Sequence, residues 1–243
     1  MLKRVIPAFL LALGLVGARD AACVTIAFQD GTLLPGGAPY SNTLDTEIQQ
    51  GNPTLALGGN LTIRVDALFN GGDVQGLMMF GNIFGALPDQ IPLGSTINSA
   101  VLTLSVFDSS NVPIGTISVY QMTTTWSESS TWNSLTGGVN IGSDTVASPD
   151  DAHTVTATGL TTFDVQASLQ AWSSGATNFG WMFSDSSTDS IQFDSSEAAT
   201  VTARPLLTVD FTPVPEPGSL VLAGLAGAAA LCVRRLRRGF RPE

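Results

Sequence analysis

Ser99-Ala100-Val101-Leu102-Thr103-Leu104-Ser105-Val106 sets an apolar side chain at every second position, with serine, threonine or Val101 between. Successive side chains of an extended chain point to opposite faces, so this period of two is that of a strand with one face buried. The period returns at Leu61, Ile63 and Val65, at Phe179, Trp181 and Phe183, and at Leu207, Val209 and Phe211. Turn formers separate the runs: Gly36-Gly37, Gly58-Gly59-Asn60, Asn70-Gly71-Gly72-Asp73 and Gly137-Gly138. Only Val165, Leu169 and Trp172, spaced i, i+4, i+7 after Asp164, read as a helix, and a short one. Many short strands with regular turn signals, and no alternation of strands with helices, predict an all-β fold. The expected form is a single antiparallel β-sandwich of jelly-roll type. No repeat at a fixed period and no linker before Thr212 interrupt it, so one domain is expected over residues 23–212.

The flanks differ in kind. Lys3 and Arg4 precede an apolar run from Val5 to Val16, and Val16-Gly17-Ala18 offers the small residues that signal peptidase requires. Residues 1–22 therefore read as a signal peptide, cut after Ala18 or Ala22, for export through the inner membrane. At the other flank, prolines at 213, 215 and 217 break any strand or helix. Residues 218–233 then form a transmembrane segment of sixteen residues, short of the ~20 that cross a bilayer core. Arg234, Arg235, Arg237, Arg238 and Arg241 follow as a membrane stop. Arginines favour the cytoplasmic side, which puts everything before Pro215 outside. The order of Pro215-Glu216-Pro217, apolar run and arginines over residues 213–243 resembles the PEP-CTERM sorting signal of Gram-negative bacteria. That resemblance implies recognition by an exosortase-type membrane protease and cleavage near Pro215-Glu216-Pro217. It also implies transient anchoring by the C-terminal helix, then delivery to the cell surface or extracellular matrix.

Between the flanks the charge is one-sided. Arg64 and Arg204 stand against seventeen carboxylates from Asp30 to Asp210, a net charge of −15 where the whole chain carries −10. A surface of that sign repels nucleic acid and anionic lipid, which excludes nucleic-acid binding. Cys23 and Cys232 sit at the extreme ends, so no disulfide framework supports the body. Roughly 190 residues bury enough apolar surface to fold without one.

Further pieces occur in a fixed order. Ile91-Pro92-Leu93-Gly94-Ser95-Thr96-Ile97-Asn98-Ser99-Ala100-Val101-Leu102-Thr103-Leu104 is followed by Trp126-Ser127-Glu128 and Thr131-Trp132-Asn133. Then come Phe163-Asp164-Val165, Trp172, Asn178-Phe179-Gly180-Trp181, Phe193-Asp194-Ser195-Ser196-Glu197 and Arg204-Pro205-Leu206-Leu207. In order and spacing this series resembles the DNRLRE-type domain, a carbohydrate-binding module of β-sandwich fold, over most of Asp30 to Phe211. One departure is visible: Leu77-Met78-Met79-Phe80-Gly81-Asn82 carries no charge where that family usually has an acidic or arginine-bearing strand.

The candidate site residues follow from chemistry. Flat apolar sugar faces pack on indole rings, and Trp126 and Trp132 lie in a Ser/Thr-rich loop with Glu128 between them. These three are the carbohydrate-binding candidates, while Trp172 and Trp181 continue apolar stripes and belong to the core. Glu128 could equally cap its loop, and Glu197, near Arg204, reads most simply as half of an ion pair. A glycosidase needs two carboxylates facing each other across a bond, and no such pair is indicated. His153 reads as a solvated loop residue without a nucleophile at a recognised spacing, and one histidine builds no zinc site. The chain is therefore expected not to be an enzyme. No cofactor is required, and structural calcium is the one with a physical case. Its candidate ligands are Asp144, Asp150, Asp151, Asp185 and Asp189, in loops rich in oxygen donors but without EF-hand spacing. Solvated acidic loops are the plainer reading. The expected function is that of an exported, non-catalytic surface or matrix protein that binds extracellular polysaccharide. A structural or adhesive protein with protein partners is the alternative, and a secreted hydrolase or lyase a distant third.

Overall fold

Eleven strands and one helix are present in the structure, a computed structural model that describes residues 22–106, 115–186 and 190–214. The signal-peptide residues 1–21, the sorting motif Pro215-Glu216-Pro217, segment 218–233, the arginines after it and Asp189 lie outside the described residues. In chain order the elements are β1 Val24–Phe28, β2 Thr43–Gln49, β3 Thr62–Phe69, β4 Gly72–Phe80, β5 Thr96–Val106 and β6 Gly115–Gln121. They continue with β7 Asp151–Val155, β8 Gly159–Asp164, α1 Gln166–Ser173, β9 Trp181–Asp185, β10 Ile191–Asp194 and β11 Leu206–Thr212.

Every strand pairing is antiparallel, and the pairings make two leaves. In the first, β1 pairs β11, β11 pairs β5 and β5 pairs β8. In the second, β2 pairs β4, β4 pairs β9, β9 pairs β6 and β6 pairs β7. Strand β3 belongs to both: it runs along β10 from Thr62 to Val65, then meets β4 at Asp66 and Phe69. The chain passes between leaves at β1–β2, β4–β5, β5–β6, β7–β8, β8–β9 and β9–β10, the repeated crossing of a jelly roll. The all-β, antiparallel sandwich read from the sequence is the observed fold.

One core fills the space between the leaves. Ala100, Leu102, Leu104 and Val106 of β5 and Leu207, Val209 and Phe211 of β11 face Met78 and Phe80 of β4, Ile117 and Val119 of β6, and Trp181 and Phe183 of β9. Aromatic edges bridge the leaves, with Phe163 and Phe183 centroids 6.1 Å apart and Phe183 and Phe193 likewise 6.1 Å apart. Trp172 and Trp181 are buried 4.9 Å apart, as their stripes predicted. Helix α1 carries Leu169 and Trp172 into this core. Its Gln166 and Gln170 side chains clip it to the backbone of Ile97, at the start of β5.

Three expectations fail locally. Leu61, assigned to a buried face with Ile63 and Val65, is 59% exposed because β3 begins only at Thr62. His153 is not a loop residue: it sits in β7, its ring 4.5 Å from Phe163 and its Nε2 3.0 Å from the Thr161 hydroxyl. Its Nδ1 lies 3.6 Å from Asp151. Phe179 does not share a face with Trp181. Gly180 between them has φ +72°, which turns the chain, and a Cβ there would stand 2.0 Å from the Met78 carbonyl oxygen. Phe179 therefore lands on the outer side of the second leaf, against a smaller cluster of Ile48, Leu77, Met122, Val139 and Met182.

Candidate functional site

That outer cluster decides where the tryptophan loop goes. Strand β4 is buried on both faces, Met78 inward and Leu77 outward, so the outward face of the second leaf needs a cover. Residues 122–146 supply it. Gln75 of β4 clamps the loop across the leaf, its side-chain carbonyl accepting from Val139 N at 2.8 Å and its amide donating to Val139 O at 3.1 Å. Asn133 N donates to Pro53 O at 2.9 Å, and Thr123 N to Asp144 O at 2.8 Å. Within the loop, Thr131 and Ser134 exchange reciprocal side-chain to backbone hydrogen bonds, as a capping box does.

Both loop tryptophans are half-buried lids on this second cluster, not free-standing rings. Trp126 is oriented by its indole N–H, which donates to Phe179 O at 2.7 Å. Trp132 lies flat on Gly138, where a Cβ would come within 2.7 Å of the ring and φ is +91°. Of the two, Trp126 borders a hollow. With Thr125, Ser127, Ser130, Ser134 and Leu135 it lines a hollow of about 360 Å³. A second hollow of about 200 Å³ shares Thr125, Ser134 and Leu135 and adds Met122, Val139 and Asp144. Together they form a groove with an indole and a leucine as apolar floor and hydroxyls on the walls. Each hydroxyl can donate and accept, which suits sugar hydroxyls.

Glu128 does not join Trp126 there. It packs against Gly58, and its neighbours in charge are Glu197 and Asp30. Partial burial, then those two charges, raise its carboxyl above the ordinary glutamate value. No hydrogen bond among the described residues reaches its carboxylate, so it caps no loop. Asp45 belongs to the same acidic nest, and nothing in its strand marked it out. It is 1% exposed and accepts from Ser196 N at 2.8 Å. Burial, reinforced by the charges of Glu197 and Glu128, pushes its carboxyl up to about 7. Glu197 makes no ion pair with Arg204, contrary to the expectation. The guanidinium instead donates to the carbonyls of Ala198 at 2.8 Å and Asp30 at 3.2 Å. One oxygen of Glu197 accepts from the Ser196 hydroxyl, and the other is buried without a partner.

Four of the five aspartates proposed for calcium lie among the described residues, and Asp144, Asp150 and Asp151 are held by different partners. Asp144 accepts from Asn140 N at 2.9 Å, from its side-chain amide at 3.1 Å and from the Thr124 hydroxyl at 3.2 Å, which lowers its carboxyl below the usual range. Asp150 accepts from Trp181 Nε1 at 3.1 Å and from the Ser168 hydroxyl, and burial raises its carboxyl. Asp151 accepts from Asp164 N at 2.9 Å and faces His153. Asp185 is buried in β9. Among the described residues no three acidic, histidine or cysteine side chains are disposed to hold a metal ion. No described helix is long and apolar enough to cross a membrane.

Comparison with known proteins adds to this geometry. A model of the PEP-CTERM protein-sorting motif matches residues 213–238, where the proline-bounded tail was read. No match is found among the curated proteins. A model of carbohydrate-binding module family 96 matches residues 41–210, which takes in β2 to β10, most of β11 and the whole covering loop. The chain thus belongs to carbohydrate-binding module family 96, and it carries behind that module the sorting motif of an exported protein.

Proposed function

We propose that the sandwich, residues 23–212, is a non-catalytic module that holds extracellular polysaccharide in the groove floored by Trp126 and Leu135. The observation that carries this is the Trp126 ring itself. It is fixed by its bond to Phe179, bordered by hydroxyls, and open to solvent in a chain of a carbohydrate-binding family. Trp132 and Glu128 act at one remove: Trp132 keeps the loop flat on Gly138, and Glu128 holds its turn against Gly58. In this reading residues 1–22 direct export and residues 213–243 anchor the chain for an exosortase-type membrane protease. The released module then serves in the exopolysaccharide layer.

Two experiments test the proposal. Trp126→Ala should weaken retention on a bound polysaccharide about fivefold to tenfold, since an exposed stacking ring contributes ~1 kcal/mol. The same change removes part of the second cluster, so the melting temperature should fall by several degrees without loss of the fold. Unchanged retention on every glycan that the native protein binds would sink the groove as the site. Second, the form exported by a host with the sorting protease should lack Arg234 to Glu243. An intact C-terminus in its mass spectrum would overturn the sorting reading.

A further inference from the structure

We propose that the groove takes uncharged glycan chains and rejects those bearing uronate carboxylates. The inference rests on the reading of the groove as the glycan site and adds the class of ligand. Recognition of a carboxylate by a protein without metal calls for an arginine fork or a lysine ammonium at the contact. Residues 22–214 contain two such groups, Arg64 and Arg204, and no lysine. Both are committed elsewhere. The Arg64 guanidinium lies 4.1 Å over the Phe69 ring and donates to the Ser190 hydroxyl at 2.8 Å. Arg204 is held on the carbonyls of Ala198 and Asp30. His153 is turned to Asp151 and Thr161, in β7.

The groove itself offers hydroxyls from Thr125, Ser127, Ser129 and Ser134 and a single charge, that of Asp144, which is negative. A sugar hydroxyl finds both a donor and an acceptor there, whereas a carboxylate meets one carboxylate nearby and a body of net charge −15 beyond it. Salt screens that repulsion within about 10 Å at 0.1 M, so discrimination should shrink as salt rises while neutral binding stays constant.

The test uses the full chain in detergent with matched polymer pairs, each a neutral glycan and its C6-carboxylated derivative, in EDTA and again with calcium. The expected result is retention of at least one neutral polymer, with its carboxylated partner held about tenfold more weakly at low salt under both conditions. Ser129→Arg, which sets a cation on the exposed rim of the groove, should strengthen binding of the carboxylated partner about fivefold and make it salt-sensitive. Equal or tighter binding of a carboxylated polymer by the native protein, with or without calcium, overturns the inference and leaves the groove reading standing. Failure to retain any polymer, neutral or charged, overturns both.

Discussion

Trp181→Ala is expected to be the most damaging single change in the sandwich, lowering its stability by ~4–6 kcal/mol. Removing a buried indole leaves a cavity that costs ~3–5 kcal/mol by itself. Trp181 is fully buried in β9, 4.9 Å from Trp172 and in edge contact with Phe80, so two aromatic contacts are lost together. The loss also strips Asp150 of the indole N–H that partners its half-buried carboxylate, a further ~1 kcal/mol for the lost hydrogen bond. Domains of this size hold ~5–15 kcal/mol, so the variant should melt ~10–20 °C lower or fail to accumulate. Trp181→Phe, which keeps the ring but not the N–H, should lie between. A thermal melt of Trp181→Ala within a few degrees of the native protein would show that the two leaves are not packed as described.

The second large effect is one of pH. The Asp45 carboxyl stands at about 7 in the folded chain against an ordinary 3.8. The folded state therefore binds a proton more tightly than the unfolded one, and stability is full below pH ~4 and lost as pH rises through 7. At ~1.4 kcal/mol per unit, the cost of ionising Asp45 above that range is on the order of 4 kcal/mol. Burial raises Glu47, Asp73 and Asp150 as well, which adds to the slope in the same direction. Asp45→Asn keeps an acceptor for Ser196 N and removes the charge. It should raise the melting temperature by ~5–10 °C at pH 8 and change it little at pH 4. A loss of equal size at both pH values would mean that the carboxylate is needed in its charged form.

The fold was legible because the deciding runs were long and clean. Ala100 to Val106 alternate over most of β5, and β11 does the same, so the inner face of one leaf could be written down residue by residue. The second leaf was harder to read. Leu77 and Met78 are adjacent and both buried, which signals cover on two sides but not what provides it, and the Ser/Thr loop that does so looks solvated on composition alone. Asp45 and Glu47 were invisible for the opposite reason. Polar residues in an alternating strand read as wet, yet these two serve as acceptors where β3 and the turn after β10 leave backbone N–H groups unpaired, those of Arg64 and Ser196. Of the three candidate site residues, sequence placed them together in one loop. Trp126 alone borders the groove, because a ring's outlook depends on the leaf beneath it and not on the spacing along the chain.

The pairing of β1 with β11 sets an order of events. Val24 lies opposite Phe211 and Phe28 opposite Leu207, and Thr25 bonds Asp210 across 185 residues of chain. The first strand to emerge has no partner until the last one arrives, and contacts this distant in sequence make folding slow. A chain exported from its N-terminus must hold Val24 to Phe28 as an unpaired, aggregation-prone edge until Leu206 to Thr212 clears the membrane. Those residues end immediately before the sorting motif. Under the proposed processing, retention of the tail at the membrane would keep each emerging chain apart from its neighbours for the interval in which the sandwich closes, and cleavage would then release a domain already sealed.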